Sequence, residues 1–453
     1  MADGMRLLPV DYHKEVAREL VDFFHSFYRF GAATSAFNLR DPQYAQFLHN
    51  LLFASLAIGA VVFVVLCVIV VRRCILNIRS AYARRASSES NAIEITAVIL
   101  LSFLAISSLS GLLGEAQVDY SAGLVHDAMV NTSNFFTDAQ ALTSESLKAS
   151  EAVRLTADNL VMSFNESDLP EQAFKLSVES LRLLHSAKDW HNETDALLPK
   201  NYSEMAQDWE FGYFMLKSTT NGAILAVALA SFLSISSIGW AMVAPLRFSI
   251  IIILSVVPIS HTLIGAYLAS TMMTADFCAA PLNSTLTLLD ATPTVEYYVA
   301  CPTNSTVLPF AESTVTMLST TQTTSELQKE LEAYALAHGD IGARMKRDFL
   351  DPVGSSLQAI DAHLEAFKSA QQCHKVAQTL ARAAERYCVY GMLGFFSMWG
   401  HQILLCVALF VCVVASVLVY ERVHIRELRL DIRYQLLSSY EEDDVEHVYL
   451  SAD

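Results

Sequence analysis

The chain has 453 residues, 53% hydrophobic and only 17% charged, with a mean hydropathy of +0.35 and a formal net charge of −17. Soluble domains run near a quarter charged, so an ordinary soluble domain is excluded. The acidity belongs to the water-exposed parts: residues 115–214 hold 17 acidic and 6 basic side chains. A surface of that sign repels nucleic acid and attracts cations.

In chain order, residues 1–50 precede the first apolar stretch, which begins near Leu48 and gives no expectation of a cleavable signal peptide. Within them Glu15–Phe30 (EVARELVDFFHSFYRF) has a broad aromatic face. It reads equally as a helix lying on a leaflet or as one packed against the extracellular domain. Five spans follow, at 51–71, 95–113, 222–246, 248–273 and 402–420. Each is long enough for a hydrocarbon core of about 30 Å, and none contains Lys, Arg, Asp or Glu. Only Pro245 and Arg247 punctuate the third and fourth, which predicts a tight hairpin there. The fifth helix can begin as early as Tyr390.

Arginines set the expected orientation. Arg72, Arg73, Arg79, Arg84 and Arg85 lie in the loop 72–94, Arg247 in the hairpin, and Arg422, Arg426, Arg429 and Arg433 in the tail 421–453. Near the other span ends stand only Arg40, Lys217 and Arg386. The N-terminus is therefore expected outside and the tail inside. All six Asn-x-Ser/Thr sites, at Asn131, Asn165, Asn192, Asn201, Asn283 and Asn304, fall in the segments 114–221 and 274–401 that this rule puts outside. So do Cys278, Cys301, Cys373 and Cys388, an even number in an oxidising compartment. Cys278 and Cys388 adjoin spans and the other two lie farther from the membrane. Equal height favours Cys278–Cys388 with Cys301–Cys373. Cys67, Cys74, Cys406 and Cys412 read as apolar packing or, for Cys74, lipidation.

The outside segments read as helical. Residues 124–168 lack Gly and Pro, with Val125, Ala128, Phe135, Ala139 and Leu142 at mostly helical spacing. Pro170 ends that run, and a second helix is expected over Gln172–Lys188. The Ser/Thr/Pro-rich stretch to about Thr324 reads as loop, Ser325–His338 as a helix start. A longer helix is expected from about Ser355 without interruption through Cys373 and Cys388 into the fifth span. The expected fold is an all-α membrane protein: five transmembrane helices with a helical, disulfide-linked extracellular domain.

Three features are candidates for chemistry. Glu115 and Asp119, one turn apart where the second span emerges, are hard oxygen ligands suited to Ca²⁺, and a second subunit could complete the shell. His261, inside the fourth span, reads mainly as a structural histidine bonded to a serine of a neighbouring helix, with Ser107, Ser108, Ser234 and Ser237 available. Glu94 at the inner edge of the second span reads as solvated. No phosphate-binding loop, catalytic triad signature or dinucleotide fingerprint is present, so no enzyme is expected. In the tail, Tyr434-Gln435-Leu436-Leu437 fits a sorting signal and Glu441–Glu446 a solvated acidic run.

Asp276-Phe277-Cys278, Tyr297-Tyr298-Val299-Ala300-Cys301, Cys373, Tyr387-Cys388, and Glu115 sixteen residues before Asn131 together resemble the Tweety family. Trp190 and Asp208-Trp209 are similar to the end of that family's first outer segment. The resemblance implies a dimeric plasma-membrane chloride channel, calcium-gated or volume-regulated, with the nested disulfides and with Glu115 toward calcium. The chain departs from the family in lacking a Pro-Pro-x-Tyr tail motif, and Glu166 lies near the place of a basic outer residue. Two functional readings follow. One is an anion channel, although the spans offer no Arg or Lys ring. The other is a lipid-binding, adhesion or membrane-shaping protein without a pore, because the helical outer segments are apolar and the family holds lipid in an ectodomain pocket.

Overall fold

The computed structural model describes residues 10–27, 37–76, 92–164, 169–198, 202–289, 292–302 and 309–450. Among them every regular element is helical. The helices are α1 Val10–His25, α2 Pro42–Val70, α3 Ala92–Ser163, α4 Glu171–Leu197, α5 Tyr202–Trp240 and α6 Val243–Ala279. They continue as α7 Pro281–Leu288, α8 Pro293–Ala300, α9 Ala311–Ala337, α10 Gly339–Met345, α11 Asp351–Ala370 and α12 His374–Leu450. A wider π turn, Val71–Leu76, ends α2, and another, Lys346–Leu350, joins α10 to α11. Five helices, α2, α3, α5, α6 and α12, carry windows long and apolar enough to cross a membrane, the mark of a membrane protein.

Local chemistry explains the main starts and stops. Asp41 caps α2 by accepting from the Gln43 N–H at 2.9 Å, with Pro42 at the first position, where its missing N–H costs nothing. The break between the third and fourth spans is at Ala241–Met242, not at Pro245–Arg247. Ala241 turns left-handed (φ 55°) and the Met242 N–H returns to the Ser237 carbonyl at 3.0 Å, closing α5. Pro245 is then the third residue of α6, inside the first turn, where proline breaks no helical hydrogen bond.

Helix lengths exceed the sequence expectations. α3 runs unbroken from the second span to Ser163, and α4 extends to Leu197 rather than Lys188. The stretch before Thr324, expected as loop, forms α7, α8 and about the first half of α9. Its hydroxyls return to their own helix: Thr316 to the Glu312 carbonyl (2.9 Å), Thr321 to Met317 (2.7 Å) and Thr324 to Thr320 (2.8 Å). Self-satisfied threonines can be buried, as Thr321 and Thr324 are. The helix expected to run from Ser355 into the fifth span is interrupted between Ala370 and His374. There the Gln371 amide donates to the Pro309 carbonyl (3.3 Å) and to Thr314 Oγ1 (3.2 Å), and Cys373 is tied to Cys301. These contacts satisfy groups that a continuous helix would direct elsewhere.

The chain forms two compact units. The first comprises Met1–Gly123, Glu210–Ala279 and Arg386–Asp453, the second Leu124–Trp209 and Ala280–Glu385. The second has a conventional core in which Trp190, fully buried, meets Phe367 edge-on at 4.8 Å amid Phe136, Leu183, Tyr298 and Ile360. A smaller cluster joins Leu160, Leu176, Leu331 and Leu350. Each unit contains one disulfide: Cys278–Cys388 (Cα–Cα 5.5 Å) in the first and Cys301–Cys373 (5.3 Å) in the second, the nested connectivity. In the first unit α1 packs through Ala17, Val21 and Phe24 onto Phe47, Met272, Ala275 and Met392. Neither sequence reading of this segment had placed it on the span helices.

Candidate functional site

The Glu115–Asp119 pair lies on α3, which faces α5 within the first unit. Four-residue spacing puts both carboxylates on one stripe of α3, and Tyr213, Lys217 and Asn221 occupy the matching stripe of α5. The stripes interlock as a polar ladder. Glu115 is only 7% exposed and accepts from Asn221 Nδ2 at 2.8 Å. Asp119 Oδ1 accepts from Lys217 Nζ at 2.7 Å and from the Tyr213 hydroxyl at 2.9 Å.

The two carboxyls are pushed in opposite directions. Burial raises the pKa of Glu115, against the opposing pull of the Asn221 hydrogen bond and the Lys217 charge. The Lys217 hydrogen bond holds Asp119 below its ordinary value. Burial and then the Asp119 hydrogen bond raise the Tyr213 hydroxyl far above its usual range, so it remains a donor.

This geometry refines the cation reading. Asp119 already has a cation, Lys217, so a metal there must displace an ammonium. Beside Glu115, by contrast, Asn221 Oδ1 is buried without a hydrogen-bond partner among the described residues. A carboxylate next to an amide oxygen suits a hard ion, but Ca²⁺ takes six to eight oxygens. Among the described residues no group of three or more His, Cys, Asp or Glu side chains is gathered to hold a metal. The ladder of one chain is thus at most part of a calcium site.

His261 bonds through Nδ1 to the carbonyl of Val257 in its own helix (2.9 Å) and lies 3.6 Å from Cys406 Sγ. Among the described residues none of the four serines expected for it is its partner: Ser107 and Ser108 bond back to Leu104 and Ala105, Ser237 to Leu233, and Ser234 bonds Ser249. The serine that reaches His261 is Ser55, whose hydroxyl donates to the histidine's backbone carbonyl. Glu94, expected as solvated, is clamped by Arg426 Nη2 at 2.8 and 2.7 Å. Asn131, Asn192 and Asn283 are exposed, each on a helix of the second unit. Asn165, Asn201, Asn304, Glu166, Arg79, Arg84 and Arg85 lie outside the described residues, as do the side chains of Cys74 and of residues 431–450.

Sequence reasoning treated Asp276 only as part of a motif. The structure buries it almost completely, with its carboxylate bonded to His25 Nδ1 (3.0 Å) and the Tyr44 hydroxyl (2.9 Å). An acid two residues from a cysteine, just past an apolar span, was the signal available for it. In comparisons with known protein families and with curated proteins, the chain matches none.

Proposed function

We propose that this chain is a Tweety-like plasma-membrane glycoprotein with its N-terminus outside, its tail inside, and a dimeric, chloride-conducting role gated by calcium or cell volume. The observation that carries the reading is the combination of five membrane-length helices with Cys278–Cys388 and Cys301–Cys373, at the cysteines on which the resemblance rests. Tagging both ends and treating intact cells with protease tests the orientation. Loss of the C-terminal tag with the N-terminal tag protected reverses it. Full-length protein in liposomes, assayed for chloride flux over a calcium series, tests conduction.

Calcium enters this reading through Glu115 and Asn221, with Asp119 in a weaker role because Lys217 competes for it. Bound there, the ion would supply positive charge between carboxylates, and a two-fold axis would bring a second copy of each ligand. The dimer fraction in detergent should then rise with free Ca²⁺ for the wild type and respond less for Glu115→Gln. Superimposable curves would remove calcium from the account.

A second reading, lipid binding or membrane shaping without a pore, has its own support in the second unit. Met162 (83% exposed) and Leu336 (75%) present large apolar side chains there in addition to a filled core. Flux equal to that of empty vesicles, with phospholipid co-purifying and identified by mass spectrometry, would transfer the function to this reading.

A further inference from the structure

α1 is a three-sided helix, and only one side is accounted for by the packing already described. Ala17, Val21 and Phe24 face the bundle, and Phe24 meets Phe396 and Trp399 edge-on, each at 5.9 Å. Lys14, Glu15, Arg18, Glu19 and Asp22 are exposed and polar. Between these sides stand Phe23 (54% exposed) and Phe27 (46%), paired at 5.0 Å. The bond of His25 to Asp276, whose other oxygen accepts from Tyr44 of α2, ties the end of α1 to α6.

The height of α1 decides what those rings meet. The cluster it joins contains Phe47 at the start of α2, Met272 and Ala275 at the end of α6, and Met392, Phe396 and Trp399 just before the fifth span. All belong to one end of the spans, so α1 lies at the border between hydrocarbon and water. Aromatic rings at that depth, on a helix with a polar opposite face, suit the headgroup–acyl boundary.

We infer that α1 is an interfacial anchor: Phe23 and Phe27 insert into the leaflet at that end of the bundle while Phe24 docks on the protein. The occupant is phospholipid, on whichever side of the membrane the N-terminus lies.

Two variants of the full chain in phosphatidylcholine vesicles, Phe23→Trp and Glu15→Trp, test this, each read as fluorescence in excess of wild type. Quenching by brominated phosphatidylcholine should be about threefold stronger at position 23 than at 15, and quenching by aqueous iodide should rank the other way. Iodide quenching at 23 equal to that at 15 overturns the inference. So does protection of 23 from both quenchers, which would place a protein surface over the ring. If Phe23→Trp does not fold, Phe27→Trp carries the same two expectations.

Discussion

The two units solve the packing problem in opposite ways. In the second, large side chains point inward: Trp190, Phe367, Phe136 and Tyr298 form the core, and its helices carry their charges outside. In the first, large apolar side chains such as Val61, Ile106, Leu225 and Phe232 point outward. Several of its helix contacts are made by small or hydroxylated residues. A Cβ on Gly59 would come within 2.5 Å of His261 Cβ, one on Gly265 within 2.8 Å of Ser55 Cβ, and Ser234 bonds Ser249 at 2.7 Å. The reason is the solvent. In water, burying apolar area drives association. In lipid that drive vanishes, and close backbone approach with interhelical hydrogen bonds takes its place.

The largest expected effects break the second unit. Trp190→Ala should cost about 3–5 kcal/mol, because the ring is wholly buried and its neighbours cannot close the void. Cys301→Ser with Cys373→Ser should cost about 2–5 kcal/mol. Both are read as loss of the folded fraction in thermal unfolding of the purified chain. Unchanged melting of either variant would mean that this core does not limit stability.

The first unit should respond to added rather than removed volume. Gly59→Val should cost about 1–3 kcal/mol, since its branches meet His261, whereas Gly222→Ala meets nothing within 4 Å and should be nearly silent. Equal responses of the two glycines would deny that close approach at Gly59 organises the bundle.

The polar ladder of the first unit should respond to pH. The folded pKa of Asp119 is lowered, so its stabilisation is present above its unfolded value of about 3.9 and lost as pH falls through the folded one. Glu115 has the opposite sign. Its folded pKa is raised, so its charge costs stability at neutral pH, and that cost fades as pH falls toward the unfolded value of about 4.3. In calcium-free buffer, Asp119→Asn should flatten the acid limb of a melting-temperature profile. Glu115→Gln should instead remove the gain on mild acidification. A profile unaltered by either substitution would show that the ladder does not couple to folding.

The smallest effects are expected at the glycan acceptors. On the proposed orientation, Asn131→Gln, Asn192→Gln and Asn283→Gln should each remove one glycan increment on a gel. Stability should change by no more than about 0.5 kcal/mol, as for other exposed positions. Absence of all three increments would count against the orientation.

Much of this architecture can be read from the chain alone because it is linear information. A span is a run of apolar residues matched to a fixed thickness, and five such runs are visible without any partner. The helical spacing of Leu357, Ile360, Leu364 and Phe367 likewise predicts the buried face of α11 that the structure shows. Where local composition misled, tertiary contacts had changed the balance. Threonines between Ala311 and Thr324 read as loop, yet they fold as helix because their hydroxyls bond their own carbonyls and their face is buried. The helix toward the fifth span stops where Gln371 and Cys373 find partners far off in sequence.

The helical class, the five membrane-length segments, and Glu115 and Asp119 as one acidic stripe are legible in the order of residues. What that stripe is depends on the helix it packs against. Lys217 comes from 98 residues away to neutralise Asp119, while Asn221 leaves an oxygen beside Glu115. In the same way His25, 251 residues from Asp276, closes α1 onto the bundle. Periodicity reports which face of a helix is apolar or acidic. Which distant face it meets depends on how all the helices pack at once, and no local pattern encodes that.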